Sequence, residues 1–205
     1  MKTGNPKLRL TLIAAGGTIS HVRDPRTGQS VPGLTAADLL HRTTLAHTYE
    51  VRLIDLDERI KPLLPLRQPN ELLDIARAIQ QAVETSDGVV VTHGTDTLEE
   101  VAYLVDETVR ATVPIVFTGA MRPSWASGYD GSRNLENALR VAATIPADYG
   151  TLVTMHDEIF EAWNVYKADT GAVNAFTVRR GAARGRIFGD LIVLPWRPVP
   201  HALPA

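Results

Sequence analysis

The sequence predicts an α/β fold, a single domain in which a mostly parallel sheet is flanked by helices. Three observations predict it. Short apolar, β-branched runs alternate with longer stretches whose apolar residues recur at helical spacing. The apolar runs are nearly continuous rather than alternating, as strands covered on both faces are. The length, 205 residues at 44% hydrophobic and 21% charged, is that of one ordinary globular domain able to bury a core.

Taken in order, residues 8–15, 51–56, 88–92, 113–118 and 151–155 read as strands. Lys2, Lys7 and Arg9 before the apolar residues 10–15 superficially resemble a short secretion signal, but the apolar stretch is brief and runs straight into Gly16-Gly17-Thr18. A first buried strand is the better reading. Residues 36–46, 70–85, 97–109 and 133–144 read as helices; in the second, Leu72, Ile75, Ala76, Ile79 and Val83 share one stripe. Strands alternating with helices imply right-handed crossovers between parallel strands. Residues 19–35, with mixed charge, two prolines and two glycines, predict a long mobile loop. Residues 195–205 hold four prolines and predict a poorly ordered end. Neither an internal repeat nor a composition break marks a second domain.

Composition removes several function classes. Twenty-one basic against twenty-three acidic residues leave a net charge of -2, without the dense basic face that nucleic acid requires. No apolar run approaches the ~20 residues needed to cross a bilayer. Zero cysteines exclude disulfides, thiolate metal sites and thiol catalysis, and fit a cytoplasmic setting.

Two strands end in unusual polar turns. One gives Ala14-Ala15-Gly16-Gly17-Thr18-Ile19-Ser20, the other Thr92-His93-Gly94-Thr95-Asp96-Thr97. In open α/β sheets ligands bind beyond the carboxyl ends of strands, and each turn places a threonine hydroxyl there, the second adding a carboxylate. The bland reading is a turn followed by helix entry, with Thr97-Leu98-Glu99-Glu100 as a capping box. Phosphate binding is disfavoured, since neither G-x-G-x-x-G nor a Walker lysine is present, and G-x-S-x-G and H-E-x-x-H are also missing. Seventeen of the twenty-one basic residues are arginine, and Lys167 is the sole lysine after Lys61. A lysine, unlike an arginine, can surrender its proton; Lys167 is thus either a proton acceptor for a threonine hydroxyl or a solvated surface side chain.

Together these residues resemble the bacterial-type L-asparaginase/glutaminase family. Gly88-Val89-Val90-Val91-Thr92-His93-Gly94-Thr95-Asp96-Thr97-Leu98 is similar to its second signature, and Ala15-Gly16-Gly17-Thr18-Ile19-Ser20 to its first, with Ala15 where threonine is usual. Thr118-Gly119-Ala120-Met121-Arg122-Pro123, Asp130-Gly131, Asn134-Leu135 and the Lys167 segment add to the likeness, which spans about residues 8–194. The resemblance implies the Rossmann-like fold of the family's larger N-terminal domain and hydrolysis of L-asparagine to L-aspartate and ammonia, with glutamine as a minor substrate and no metal or cofactor. It implies Thr18 as nucleophile forming a covalent ester, Thr95 and Lys167 as a proton-transfer pair, Asp96 as partner of the substrate α-ammonium, and backbone N–H groups of the Gly17 and Gly94 turns around the oxyanion. Homo-oligomerisation follows from the same likeness.

Three departures stand out. The family's loop tyrosine near the nucleophile is missing from residues 19–35; His21 is the nearest titratable substitute, with Tyr129 or Tyr166 as alternatives. The serine-containing dipeptide that grips the substrate carboxylate has no counterpart in residues 57–69, where Arg67 or Arg59 is either its replacement or a solvated surface side chain. The smaller carboxy-terminal domain of typical members has no counterpart either, so the expectation is a short-chain, single-domain form. Two other readings remain open: a non-catalytic amino-acid-binding or regulatory domain on this scaffold, and an amidase component of a larger complex.

Overall fold

The structure is a computed structural model, and it describes residues 7–56 and 69–194. In chain order these form β1 (Arg9–Ala14), a 3-10 turn (Thr18–Ser20), β2 (His21–Arg23), β3 (Ser30–Pro32), α1 (Ala36–His41), β4 (Glu50–Asp55), α2 (Pro69–Val83), β5 (Gly88–Thr92), α3 (Leu98–Thr108), β6 (Ile115–Thr118), α4 (Gly131–Thr144), a second 3-10 turn (Ala147–Tyr149), β7 (Thr151–Met155), β8 (Glu158–Glu161), β9 (Val165–Lys167), β10 (Phe176–Val178), β11 (Gly185–Phe188) and β12 (Leu191–Val193). Eight strands make one sheet in the order β12-β11-β8-β7-β6-β5-β1-β4. The five strands expected from the sequence are its parallel half, β4-β1-β5-β6-β7. The antiparallel strands β8, β11 and β12 extend it beyond β7.

Two apolar layers cover the sheet. On one face Ile13, Val89, Val91 and Phe117 pack against Ile75 and Ile79 of α2 and Leu98, Val101 and Val105 of α3. On the other, Leu12, Val90, Val116 and Leu152 meet Leu39 of α1 and Leu135, Ala138 and Leu139 of α4. Val89, Val90 and Val91 are fully buried, which explains their unbroken hydrophobicity; burying each such side chain stabilises the fold by about 1.5–3 kcal/mol. β4 departs from that expectation. It is an edge strand, paired to β1 alone, with Arg52, Leu53 and Asp55 exposed.

The chain runs from β1 outward to β4 through α1, then returns across β1 to β5 through α2. Strand order therefore reverses between β1 and β5, which is the switch point where such sheets open a crevice at the strands' carboxyl ends. Ala14 of β1 is in register with Thr92 of β5, so the two polar turns leave the sheet at the same level.

Residues 19–35, expected as a long mobile loop, are instead an ordered hairpin of β2 and β3. The Asp24 carboxylate accepts the Arg26 and Thr27 amides at 2.7 and 3.1 Å, and Gly28 closes the turn at φ 70°. The first predicted helix is also shorter: α1 ends at His41. The proline-rich residues 195–205 lie outside the described residues.

Candidate active site

Thr18 opens the 3-10 turn directly after Gly17, whose backbone adopts φ 94°. Only glycine suits this position. A Cβ there would sit 2.4 Å from Cα and N of Gly94 and 2.8 Å from the carbonyl carbon of His93. The two turns therefore touch backbone to backbone, with the half-buried Thr18 one residue from the contact and Thr95 one residue from it on the other side. The turns hang from the strands by Ala15 N donating to Thr92 O at 2.9 Å and His93 N to Thr118 O at 2.9 Å.

The β9–β10 hairpin delivers Lys167. Its Nζ donates to Thr95 Oγ1 at 2.9 Å and to Asp96 Oδ1 at 2.6 Å. Thr95 is 6% exposed, and the Lys167 side chain 12%; the Asp96 side chain is 77% exposed. A buried hydroxyl thus shares an amine with a carboxylate that still faces solvent. The structure brings Thr95, Asp96 and Lys167 together and sets the Gly17-Thr18 turn against Gly94.

Other expected residues fall elsewhere. His21 is the first residue of β2; its Nδ1 pairs with Ser30 Oγ at 3.1 Å, and burial lowers its pKa from the usual value. Tyr129 donates its hydroxyl to Ile19 O at 2.9 Å, and burial pushes the phenol up to about 12. It is a neutral brace for the turn holding Thr18. The Tyr166 ring lies under the Arg179 guanidinium at 5.3 Å. Arg67 and Arg59 lie outside the described residues.

The segment after β6 forms one hydrogen-bonded unit around the site. The Asp130 carboxylate accepts the Met121 and Arg122 amides, each at 3.0 Å. Asn134 Nδ2 donates to Gly119 O and to Asp130, each at 3.0 Å, while its oxygen accepts the His156 amide at 3.1 Å. Ser124 donates from N and Oγ to His21 O, and the Arg23 guanidinium lies 5.7 Å from the centre of the Trp125 ring. The β2–β3 hairpin is thus clamped to this segment.

The capping-box reading of Thr97 to Glu100 does not hold. Thr97 stands at the N-cap of α3 without a side-chain cap hydrogen bond. The Glu99 carboxylate turns away, accepting the Lys167 backbone N–H on one oxygen and Arg179 Nη2, at 2.8 Å, on the other. That pattern pairs Thr97 with Glu100, three residues on, and gives Glu99 no role of its own; its place one turn after Thr95-Asp96 is the available signal. A full capping box occurs at α1 instead, between Thr35 and Asp38.

Beside this cluster lies a cavity of about 310 Å³, walled by Glu99, Glu100, Tyr103, Trp163, Val165 and Arg179. Among the described residues no group of three His, Asp or Glu side chains is placed to hold a metal ion, and no helix is long and apolar enough to cross a membrane.

Residues 9–200 match the family model "Asparaginase, N-terminal". The chain is 38% identical over 173 residues to a probable periplasmic L-asparaginase of Haemophilus influenzae, and 34% identical over 170 residues to L-asparaginase 2 of Escherichia coli. Each match takes in 82% of this chain and 48% of the relative, so the chain spans about half the length of the curated relatives it matches. Among solved structures, the thermostable L-asparaginase of Thermococcus kodakarensis superposes with a TM-score of 0.79 at 29% identity, over 94% of this chain and 58% of that one. A probable cytoplasmic L-asparaginase of Campylobacter jejuni gives the same score and coverage at 28% identity. With a family model running almost its whole length and a fold that superposes on solved members over 94% of the chain, the chain belongs to the asparaginase family, in the part that the family's N-terminal domain describes.

Proposed function

We propose that this chain hydrolyses the side-chain amide of L-asparagine to L-aspartate and ammonia, with glutamine as a minor substrate, through an ester formed on Thr18. The observation that carries the reading is the 2.9 Å hydrogen bond from Lys167 Nζ to the buried Thr95 hydroxyl, next to Gly94, whose backbone the turn before Thr18 touches at Gly17. An amide is a poor electrophile, so its attack needs a hydroxyl relieved of its proton and donors for the charge on the carbonyl oxygen.

In this reading Thr18 Oγ1 adds to the amide carbon while its proton passes towards the Thr95–Lys167 pair. Backbone N–H groups of the two turns meet the oxyanion, a contribution of about 3–4 kcal/mol per donor in other enzymes. The C–N bond breaks, the nitrogen takes up the proton and leaves as ammonia, and Thr18 keeps the aspartyl ester. Water drawn to the same pair attacks the ester, releasing aspartate and restoring the hydroxyl. Asp96 takes the substrate α-ammonium in this reading; its 77% exposed side chain, although paired with Lys167, supports that role. Glutamine differs by one methylene, which typically alters discrimination by about 1–3 kcal/mol.

Ammonia release from asparagine, glutamine and simple amides tests the proposal, with Thr18→Ala as control. Wild-type turnover reduced at least about a thousandfold by Thr18→Ala is expected. Activity that survives Thr18→Ala moves the nucleophile to Thr95. Aspartate binding without turnover of any amide replaces the hydrolase with the amino-acid-binding reading, which the His21–Ser30 pairing and the missing loop tyrosine favour. A homo-oligomer in the cytoplasm belongs to the same proposal: assembly is carried over from the family resemblance, and the compartment from the absence of cysteine, against the periplasmic name of the Haemophilus relative. A monomeric mass by light scattering removes the assembly.

A further inference from the structure

We infer that Glu99 is a positioning residue for Lys167, fixing the lysine's backbone from the first turn of α3 so that its amine meets Thr95; the kinetic consequence rests on the hydrolase reading. Lys167 lies on a ribbon of two strands, three residues each, separate from the main sheet. Such a ribbon is marginal by itself and takes its position from what it packs against. In an antiparallel pair successive N–H groups point to opposite sides. Ala168 N donates inward to Ala175 O at 2.7 Å, so the Lys167 N–H points away from β10, towards α3. Glu99 Oε2 accepts it there.

The other carboxylate oxygen is held by Arg179 Nη2 at 2.8 Å, and the Arg179 guanidinium lies over the Tyr166 ring. Tyr166 is the residue next to Lys167, and Arg179 follows β10 directly, so the carboxylate clasps both strands of the ribbon. The Glu99 side chain is 16% exposed, whereas Arg179 is 58% exposed. Thr95 and Asp96 precede the same helix. Residues 95, 96 and 99 therefore hold Lys167 at both ends: the amine by the hydroxyl and the Asp96 carboxylate, the backbone by Glu99. A lysine side chain has four flexible carbons, and without the backbone tie the amine has no fixed origin from which to reach Thr95.

Glu99→Gln keeps an oxygen for the Lys167 N–H and removes the charge; Glu99→Ala removes both. Amide hydrogen exchange is read at Lys167 and at Ala168, whose own hydrogen bond is independent of Glu99. In Glu99→Ala the Lys167 amide is expected to exchange at least about tenfold faster while Ala168 keeps its rate, with Glu99→Gln close to wild type. Ammonia release should fall about ten- to a hundredfold in kcat for Glu99→Ala, since small misplacements are costly, with KM within about twofold and kcat mostly recovered in Glu99→Gln. Unchanged exchange at Lys167 in Glu99→Ala overturns the inference, as does equal acceleration at Ala168, which would mean the ribbon has simply loosened. Loss of kcat that Glu99→Gln fails to recover overturns it too, because charge and not placement would then be at work. A wild type inert toward every amide defeats the hydrolase reading, and the exchange measurement then decides the role of Glu99 alone.

Discussion

A methyl group on Gly17 would press within 2.4 Å of the Gly94 backbone, at a φ of 94° that L side chains rarely adopt. Neither neighbour is a flexible side-chain tip, so relief requires moving one whole turn away from the other. Gly17→Ala is accordingly expected to cost about 1–3 kcal/mol or more in stability, read by thermal unfolding. Under the proposed hydrolase reading it should also lower ammonia release per folded molecule, because the displaced turn carries Thr18. Equal turnover in Gly17→Ala would separate the backbone contact from the chemistry. At this scale the sequence was informative where a residue type is rare for a reason: paired glycines, two threonines at strand ends, a lone lysine among arginines. It was silent on partners. His21 is a candidate base by position, and nothing in the sequence announces its hydrogen bond to Ser30. Glu99 is the unassigned middle of the Thr97–Glu100 pattern, and only the fold reveals that a strand 68 residues later presents an amide to it.

Among the elements, the five parallel strands and four helices were legible because burial on two faces or on one stripe leaves a pattern in the sequence. The β2–β3 hairpin left none. Its strands are three residues long, exposed in part, and built around Asp24 and Gly28 rather than an apolar alternation. Strands β8 to β12 were missed for a related reason: they pair antiparallel at the sheet's end or in a separate ribbon, where short pieces suffice. The hairpin's order depends on the segment that follows β6. Trp125→Ala removes the ring beneath Arg23 while sparing the Ser124 hydrogen bonds to His21 O. Amide exchange across residues 21–32 should then accelerate several-fold with β5 unaffected. Exchange unchanged in the hairpin would mean that the hydrogen bonds alone hold it.

The whole molecule should lose stability towards acid in two stages. Burial lowers the His21 pKa from 6.5, so between 6.5 and the folded value the unfolded chain binds a proton that the native state does not. Stability from this group is complete above 6.5 and falls as pH drops through that window. Asp157 acts further down. Burial pushes its carboxyl up, but hydrogen bonds from Arg133 at 2.6 and 2.9 Å and from Asn137 at 2.8 Å outweigh this and hold it below 3.8. Its contribution is present above 3.8 and disappears as pH falls beneath it. Thermal unfolding against pH should therefore show a shallow decline below 6.5, abolished in His21→Asn, and a steeper one in the carboxylate range. A His21→Asn profile identical to wild type near 6.5 would assign the first decline to another group.

The amine and the hydroxyl it touches are 72 positions apart, and the ribbon bearing that amine follows every parallel strand of the sheet. During synthesis, Thr18 and Thr95 leave the ribosome long before Lys167 exists. Under the proposed hydrolase reading, a nascent chain that has completed its five-stranded half would still be chemically inert, and would be armed only when residues 165–178 arrive and dock.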